Sequence, residues 1–168
     1  MRLFGLGAVA LALALIAGAA TARNIPAKGV IPAKGLTREQ VAAWLQKKGY
    51  DATIKNDSVS HDDYVSTSSQ GANWGIYFYA CDDTKHCTSL QYSVAWNDAH
   101  LTTDQINTWN QTKRFIRAYS TPEGAAFGEY DLDVAPGGTW EGLAQSLTRW
   151  EQQMPNFKKY VLDIANAN

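Results

Sequence analysis

Trp74-Gly-Ile-Tyr-Phe-Tyr-Ala80 and Thr88-Ser-Leu-Gln-Tyr-Ser-Val-Ala-Trp96 are two runs rich in β-branched and aromatic residues, joined only by Cys81-Asp-Asp-Thr-Lys-His-Cys87. A connection that short joins antiparallel strands, because a parallel crossover needs a dozen residues or more. Working outward, two further strands are predicted upstream, near Asp51 to Lys55 and Asp63 to Ser68, again with short connections. Before them Thr37 and Gln40 form the two halves of a capping box, which predicts a helix to about Lys48 that Gly49 stops. Val41, Trp44 and Leu45 share one side of that helix and are expected in the core.

Downstream, Thr102 and Gln105 repeat the capping box and start a helix to about Lys113. Phe115 to Ser120 and Ala125 to Val134 then read as a hairpin around Thr121-Pro-Glu-Gly124. With Gly124 as a left-handed bulge residue, Thr121 faces Ala125, Tyr119 faces Phe127 and Arg117 faces Glu129, so a cross-strand Arg117/Glu129 ion pair is expected. From Thr139 on, Trp140, Leu143, Leu147, Trp150, Met154, Phe157, Val161 and Ile164 recur at alternating steps of three and four. That phase survives Pro155, which predicts one kinked helix or two collinear pieces. The stripe serves either to pack the helix on the sheet or as a homodimer seam, and packing is favoured because the sheet needs a cover. The expected fold is α+β: a twisted antiparallel sheet of five to six strands with three helices, in the order α-ββββ-α-ββ-α.

The chain of 168 residues opens on Arg2, an apolar run from Leu3 to Ile16 and the small-x-small pattern Ala20-Thr21-Ala22, which together predict a secretory signal peptide over 1–22, cleaved after Ala22. The apolar run is short of the roughly 20 residues that a membrane-spanning helix needs, so no membrane anchor is expected after cleavage. Residues 23–36 contain Ile25-Pro-Ala-Lys-Gly29 twice, the second copy at Ile31 to Gly35, and read as a Pro/Gly linker. Residues 37–168 are then a single domain. The whole chain has 15 basic and 16 acidic residues; without Arg2 the balance is −2, far from the dense basic face that nucleic-acid binding needs. A location in the periplasm or outside the cell follows from the signal.

Chemistry has few candidates. Cys81 and Cys87 are the only cysteines, stand at the feet of one hairpin loop, and in an oxidising compartment should form a disulfide. A zinc site built from them with His86 would have one ligand pair where structural sites have two. His61, His86 and His100 fall in predicted loops outside any triad or metal pattern, so no cofactor and no metal is expected. Glu129, Asp131 and Asp133 alternate along one strand, which reads as a solvated face with Tyr130, Leu132 and Val134 turned inward. The sharper reading of those carboxylates is an acid/base pair for glycoside hydrolysis. On the second helix Asn107, Asn110 and Arg114 fall at i, i+3 and i+7 beside Ile106 and Trp109, a polar stripe suited to hold backbone carbonyls or a carboxylate at the helix-to-strand junction.

The run Ile106-Asn-Thr-Trp-Asn-Gln-Thr-Lys-Arg-Phe-Ile-Arg-Ala-Tyr119, followed by Gly124 and Glu129-Tyr-Asp-Leu-Asp133, resembles the YbjN-domain family of bacterial sensory transduction regulators. The resemblance extends to Thr37 to Tyr50 and to Tyr77-Phe-Tyr-Ala-Cys81, and covers most of residues 37 to 165. It implies a fold like that of type III secretion chaperones, which often bind a protein partner and are often dimeric; it carries over no catalytic residues. The signal peptide and the cysteine pair depart from a cytoplasmic regulator.

Two classes of function compete. One is a non-enzymatic, chaperone-like or regulatory envelope domain that binds a protein or peptide through an exposed sheet face or groove, with Trp74, Trp109 and Arg114 as anchors. The other is a small envelope hydrolase using two of Glu129, Asp131 and Asp133. A purely structural, stress-protective envelope protein is a third alternative.

Overall fold

The computed structural model of the chain describes residues 26–167, so the expected signal peptide lies outside the described residues. The elements are α1 (Arg38–Lys47), β1 (Thr53–Asn56), β2 (Asp63–Ser69), β3 (Ala72–Cys81), β4 (Cys87–Trp96), α2 (Thr103–Thr112), β5 (Arg117–Ser120), β6 (Ala126–Asp133) and α3 (Trp140–Ala165). The six strands form one sheet in the order β1-β2-β3-β4-β6-β5, and every pairing is antiparallel. The order of three helices and six strands is the one that the short connections demand.

Both capping boxes form. Thr37 Oγ1 accepts the Gln40 N–H at 3.3 Å while Gln40 Oε1 accepts the Thr37 N–H at 2.9 Å. Thr102 and Gln105 do the same at 3.3 and 2.8 Å. Each box satisfies donors that the first helical turn leaves without a carbonyl. The second hairpin keeps the expected register, with Arg117 opposite Glu129 and Tyr119 opposite Phe127. β5 begins later than the expected Phe115, because Phe115 has a φ of 76° and cannot continue an extended strand.

All three helices gather on the face of the sheet that carries Trp74, Ile76, Leu90, Tyr92 and Val94. Trp150 of α3 lies 5.8 Å from Trp74 and 5.6 Å from Tyr92, ring to ring. Phe157 meets Trp109 of α2 at 4.9 Å, and α1 sets the Arg38 guanidinium over Phe78 at 4.9 Å. α3 continues through Pro155 as one helix. Its stripe from Trp140 to Val161 is buried within the chain, Ile164 half-buried, so packing on the sheet consumes the surface that a dimer seam would have used.

The expected linker is corrected over its described part. Leu36 exchanges two backbone hydrogen bonds with Cys87, at 3.0 and 2.9 Å, and the Ile31 N–H donates to the Gly138 carbonyl at 2.9 Å. Ile31 and Leu36 are exposed by only 1% and 0%. A linker leaves such side chains in water; here Ile31 and Leu36 of a Pro/Gly-rich stretch find the core and hold it to the domain, while Val30 between the repeats stays exposed.

Candidate functional site

Successive residues of a strand point to opposite faces, so burying Ile76, Leu90 and Tyr92 under the helices sends Tyr77, Tyr79, Gln91, Ser93, Glu129 and Tyr119 to the other face. Among the described residues no helix covers that face. Across its middle runs a row set by register, Gly75 beside Ser93 beside Glu129 beside Arg117. Two stacked ring pairs stand on the same face, Tyr64 with Tyr77 and Tyr119 with Phe127, each at 5.0 Å. Small side chains in the row and rings beside it leave a cleft of about 270 Å³. The β1–β2 loop leans over one side, held where the Tyr77 hydroxyl donates to Asp57 Oδ2 at 3.3 Å.

Glu129 is the centre of the floor. One of its oxygens takes the Arg117 guanidinium in an ion pair and the Gln91 amide at 3.3 Å; the other accepts from the Tyr119 hydroxyl at 3.0 Å. Gln91 also donates to Asp131 at 2.7 Å and accepts from the Tyr79 hydroxyl at 3.2 Å. The network thus ties β3, β4, β6 and β5 together across one face. Glu129, Gln91 and Ser93 are exposed by only 7%, 8% and 8%. Burial, together with the neighbouring Glu129 carboxylate that accepts its proton, pushes the Tyr119 hydroxyl up to about 12. Tyr79 and Tyr77 are raised in the same direction, first by burial and then by the carboxylates of Glu129 and Asp57 respectively. Asp57 is held below the usual carboxylate range by the backbone N–H groups of Ser60 and Val59. These tyrosines act as neutral donors with aromatic faces.

The expected solvated face is therefore corrected at Glu129. Asp131 and Asp133 are exposed as alternation requires, but the cleft walls and the ion pair take Glu129 out of water. Arg117 and Glu129 pair as expected. Only Glu129 of the three carboxylates lines the cleft, and both its oxygens already accept from protein groups. That differs from the two free carboxylates that glycoside hydrolysis needs.

The other candidates lie on the helix side or at its rim. Trp74 and Trp109, expected as partner anchors, are core residues at 3% and 1% exposure; their large apolar area fills the space between helices and sheet. Trp109 Nε1 donates to the Ile116 carbonyl at 2.9 Å, and Asn110 pairs with both backbone groups of Ala118. Asn107 and Arg114 are exposed, with the Arg114 guanidinium 5.2 Å from the Phe115 ring. The junction cluster is thus split: Trp109 and Asn110 stitch α2 to β5, and the other two face water. Cys81 and Cys87 form the expected disulfide. Among the described residues no group of three or more His, Cys, Asp or Glu side chains is arranged to hold a metal ion.

Tyr77, Tyr79, Gln91 and Ser93 are residues of the cleft that sequence reading did not single out. The signal was present: two neighbouring strands carry hydroxyls, amides and tyrosine rings at every second position, which marks a face left without a helix.

A comparison with protein families matches residues 37–162 to a model described as "YbjN: Putative bacterial sensory transduction regulator". A comparison with curated proteins finds no match.

Proposed function

The chain belongs to the YbjN family, and from that premise we propose that it is a non-enzymatic regulatory or chaperone-like protein of the bacterial envelope that binds a protein or peptide partner on the helix-free face of its sheet. The observation that carries this is the cleft itself, where tyrosine rings, hydroxyls and a pre-ordered Glu129/Gln91/Asp131 network meet on one face. Tyrosine supplies large, stiff contact area at low entropic cost, and groups already locked by hydrogen bonds do not have to be ordered on binding. The signal pattern of residues 1–22 and the Cys81–Cys87 bond support a location outside the cytoplasm.

The hydrolase reading is weaker, since Asp131 and Asp133 stand outside the cleft lining and Glu129 is occupied. The test is site-specific photo-crosslinking in cells, with the probe at Tyr79 in the cleft or at Lys159 on the exposed side of α3. A partner band from position 79 and none from 159 is the expected result. Equal labelling from both, or none from either, removes the binding reading in favour of a purely structural protein. Fractionation with a mass measurement of the processed chain checks the location.

A further inference from the structure

The cleft has a charge of one sign. Its lining includes four acidic residues, Asp57, Asp62, Asp63 and Glu129, and no lysine, arginine or histidine. Arg117, which neutralises Glu129, reaches it from outside the lining, its own side chain 61% exposed. Asp62 has no hydrogen-bond or ion-pair partner for its carboxylate among the described residues, and lines the cleft together with the half-exposed Tyr79. The walls are rings, Tyr77, Tyr79, Tyr119 and Phe127, whose faces carry partial negative charge.

A second feature is independent of the acids. Ser93, on the floor of the cleft between Gly75 and Glu129, is more than nine-tenths buried, and among the described residues its hydroxyl has no hydrogen-bond partner. That hydroxyl is left to take its partner from whatever enters the cleft, water or a ligand group.

Resting on the binding role proposed above, we propose that the cleft receives the side chain of a lysine or arginine from a basic segment of the partner. An ammonium or guanidinium group suits it on each count. It donates to the Ser93 hydroxyl, meets the unpaired Asp62 carboxylate, and lies against the tyrosine faces as a cation on an aromatic wall. A carboxylate or phosphate would meet an acidic lining that holds no cation of its own. The cleft opens on a continuous sheet face and not into an enclosed chamber, so a side chain carried on a peptide can enter it while its backbone lies outside.

The experiment is a fluorescence-anisotropy titration of the disulfide-bonded protein with three short dye-labelled peptides, in which alanine alternates with lysine, glutamine or glutamate. The lysine peptide should bind more tightly than the other two. Asp62→Lys and Tyr79→Ala should each weaken it by about tenfold. Glu123→Lys makes the same charge change on the exposed turn between β5 and β6 and should leave binding as it was. Equal binding of the three peptides overturns the inference, as does equal weakening by Glu123→Lys, which would make the effect one of bulk charge. Free N-acetyl-lysine amide competing as well as the peptide overturns the peptide source. A partner crosslinked from position 79 that has no basic segment sinks the cation inference and keeps the binding reading; loss of site-specific crosslinking sinks both.

Discussion

Asn110 of α2 lies along the outer edge of β5 as one peptide group of a missing strand would: its Oδ1 accepts the Ala118 N–H at 2.8 Å and its Nδ2 donates to the Ala118 carbonyl at 3.0 Å. Trp109 closes the adjoining Ile116 carbonyl at 2.9 Å. An edge strand with open backbone groups is a template for another chain, and here two neighbouring residues of one helix occupy it. Asn110→Ala should therefore cost about 1–3 kcal/mol in urea unfolding, because both Ala118 groups lose their partner. It should also increase self-association in light scattering. Asn110→Asp, which keeps the acceptor and loses the donor, should fall between.

The Arg117–Glu129 pair joins an exposed cation to a buried carboxylate, with side-chain exposures of 61% and 9%. Arg117→Met leaves Glu129 out of water with only a hydroxyl and an amide, and should cost about 1–3 kcal/mol. The exposed Lys159–Asp163 pair one turn apart on α3 is the comparison; breaking it should cost a few tenths of a kcal/mol. Thermal unfolding of the two variants side by side checks the ranking.

Local rules carried most of the fold. Thr37/Gln40 and Thr102/Gln105 state their helix starts within four residues, and Thr121-Pro-Glu-Gly124 states the register of its hairpin, because caps and turns depend on chain neighbours alone. The failures are residues whose surroundings come from far along the chain. Ile31 and Leu36 sit among prolines and glycines, and only Gly138 and Cys87, about 50 or more residues away, reveal that they are core. Glu129 follows the alternation of a solvated face, yet a ring pair and Arg117 bury it. Trp74 and Trp109 have the size of partner anchors and of core residues alike, and sequence cannot separate the two.

Gly128 on β6 shows the same dependence. A methyl group there would stand 2.5 Å from two ring carbons of Phe157 and 3.0 Å from Ile116. The ring is fully buried and packed on Trp96 and Trp109, so it has nowhere to move. Gly128→Ala should destabilise the domain by about 1–3 kcal/mol, a sign opposite to that of an ordinary glycine replacement in a strand. Phe157→Leu should recover part of the loss in the double variant, and additive costs would refute the contact as the cause.

The cysteines are directly opposed on β3 and β4, but Cys87 is fully buried and Cys81 is exposed. Releasing the clip by Cys81→Ser should cost on the order of 2 kcal/mol, the modest value expected of a short loop. Cys87→Ser should cost about 1 kcal/mol more, since it also places a hydroxyl at a fully buried position. Reductant should reproduce the Cys81→Ser loss in denaturant unfolding and leave the oligomeric state, read by light scattering, unchanged. Equal costs for the two substitutions would contradict the burial difference.

Alkaline pH should unfold this protein through its tyrosines. Tyr50, pushed up to about 12 by burial and by Glu151, and Tyr119, pushed up to about 12 by burial and by Glu129, hold their protons longer when folded. In the unfolded chain a tyrosine releases its proton near 10. Between about pH 10 and 12 the unfolded state therefore sheds protons that the folded state retains, and each rise in pH favours unfolding. The stability these two groups contribute is complete below about pH 10 and is lost as the pH climbs to about 12. Urea midpoints measured across that window should fall steeply in the parent chain. Tyr119→Phe, which has no proton to lose, should fall less steeply, and a slope equal to the parent's would show that this hydroxyl titrates alike in both states.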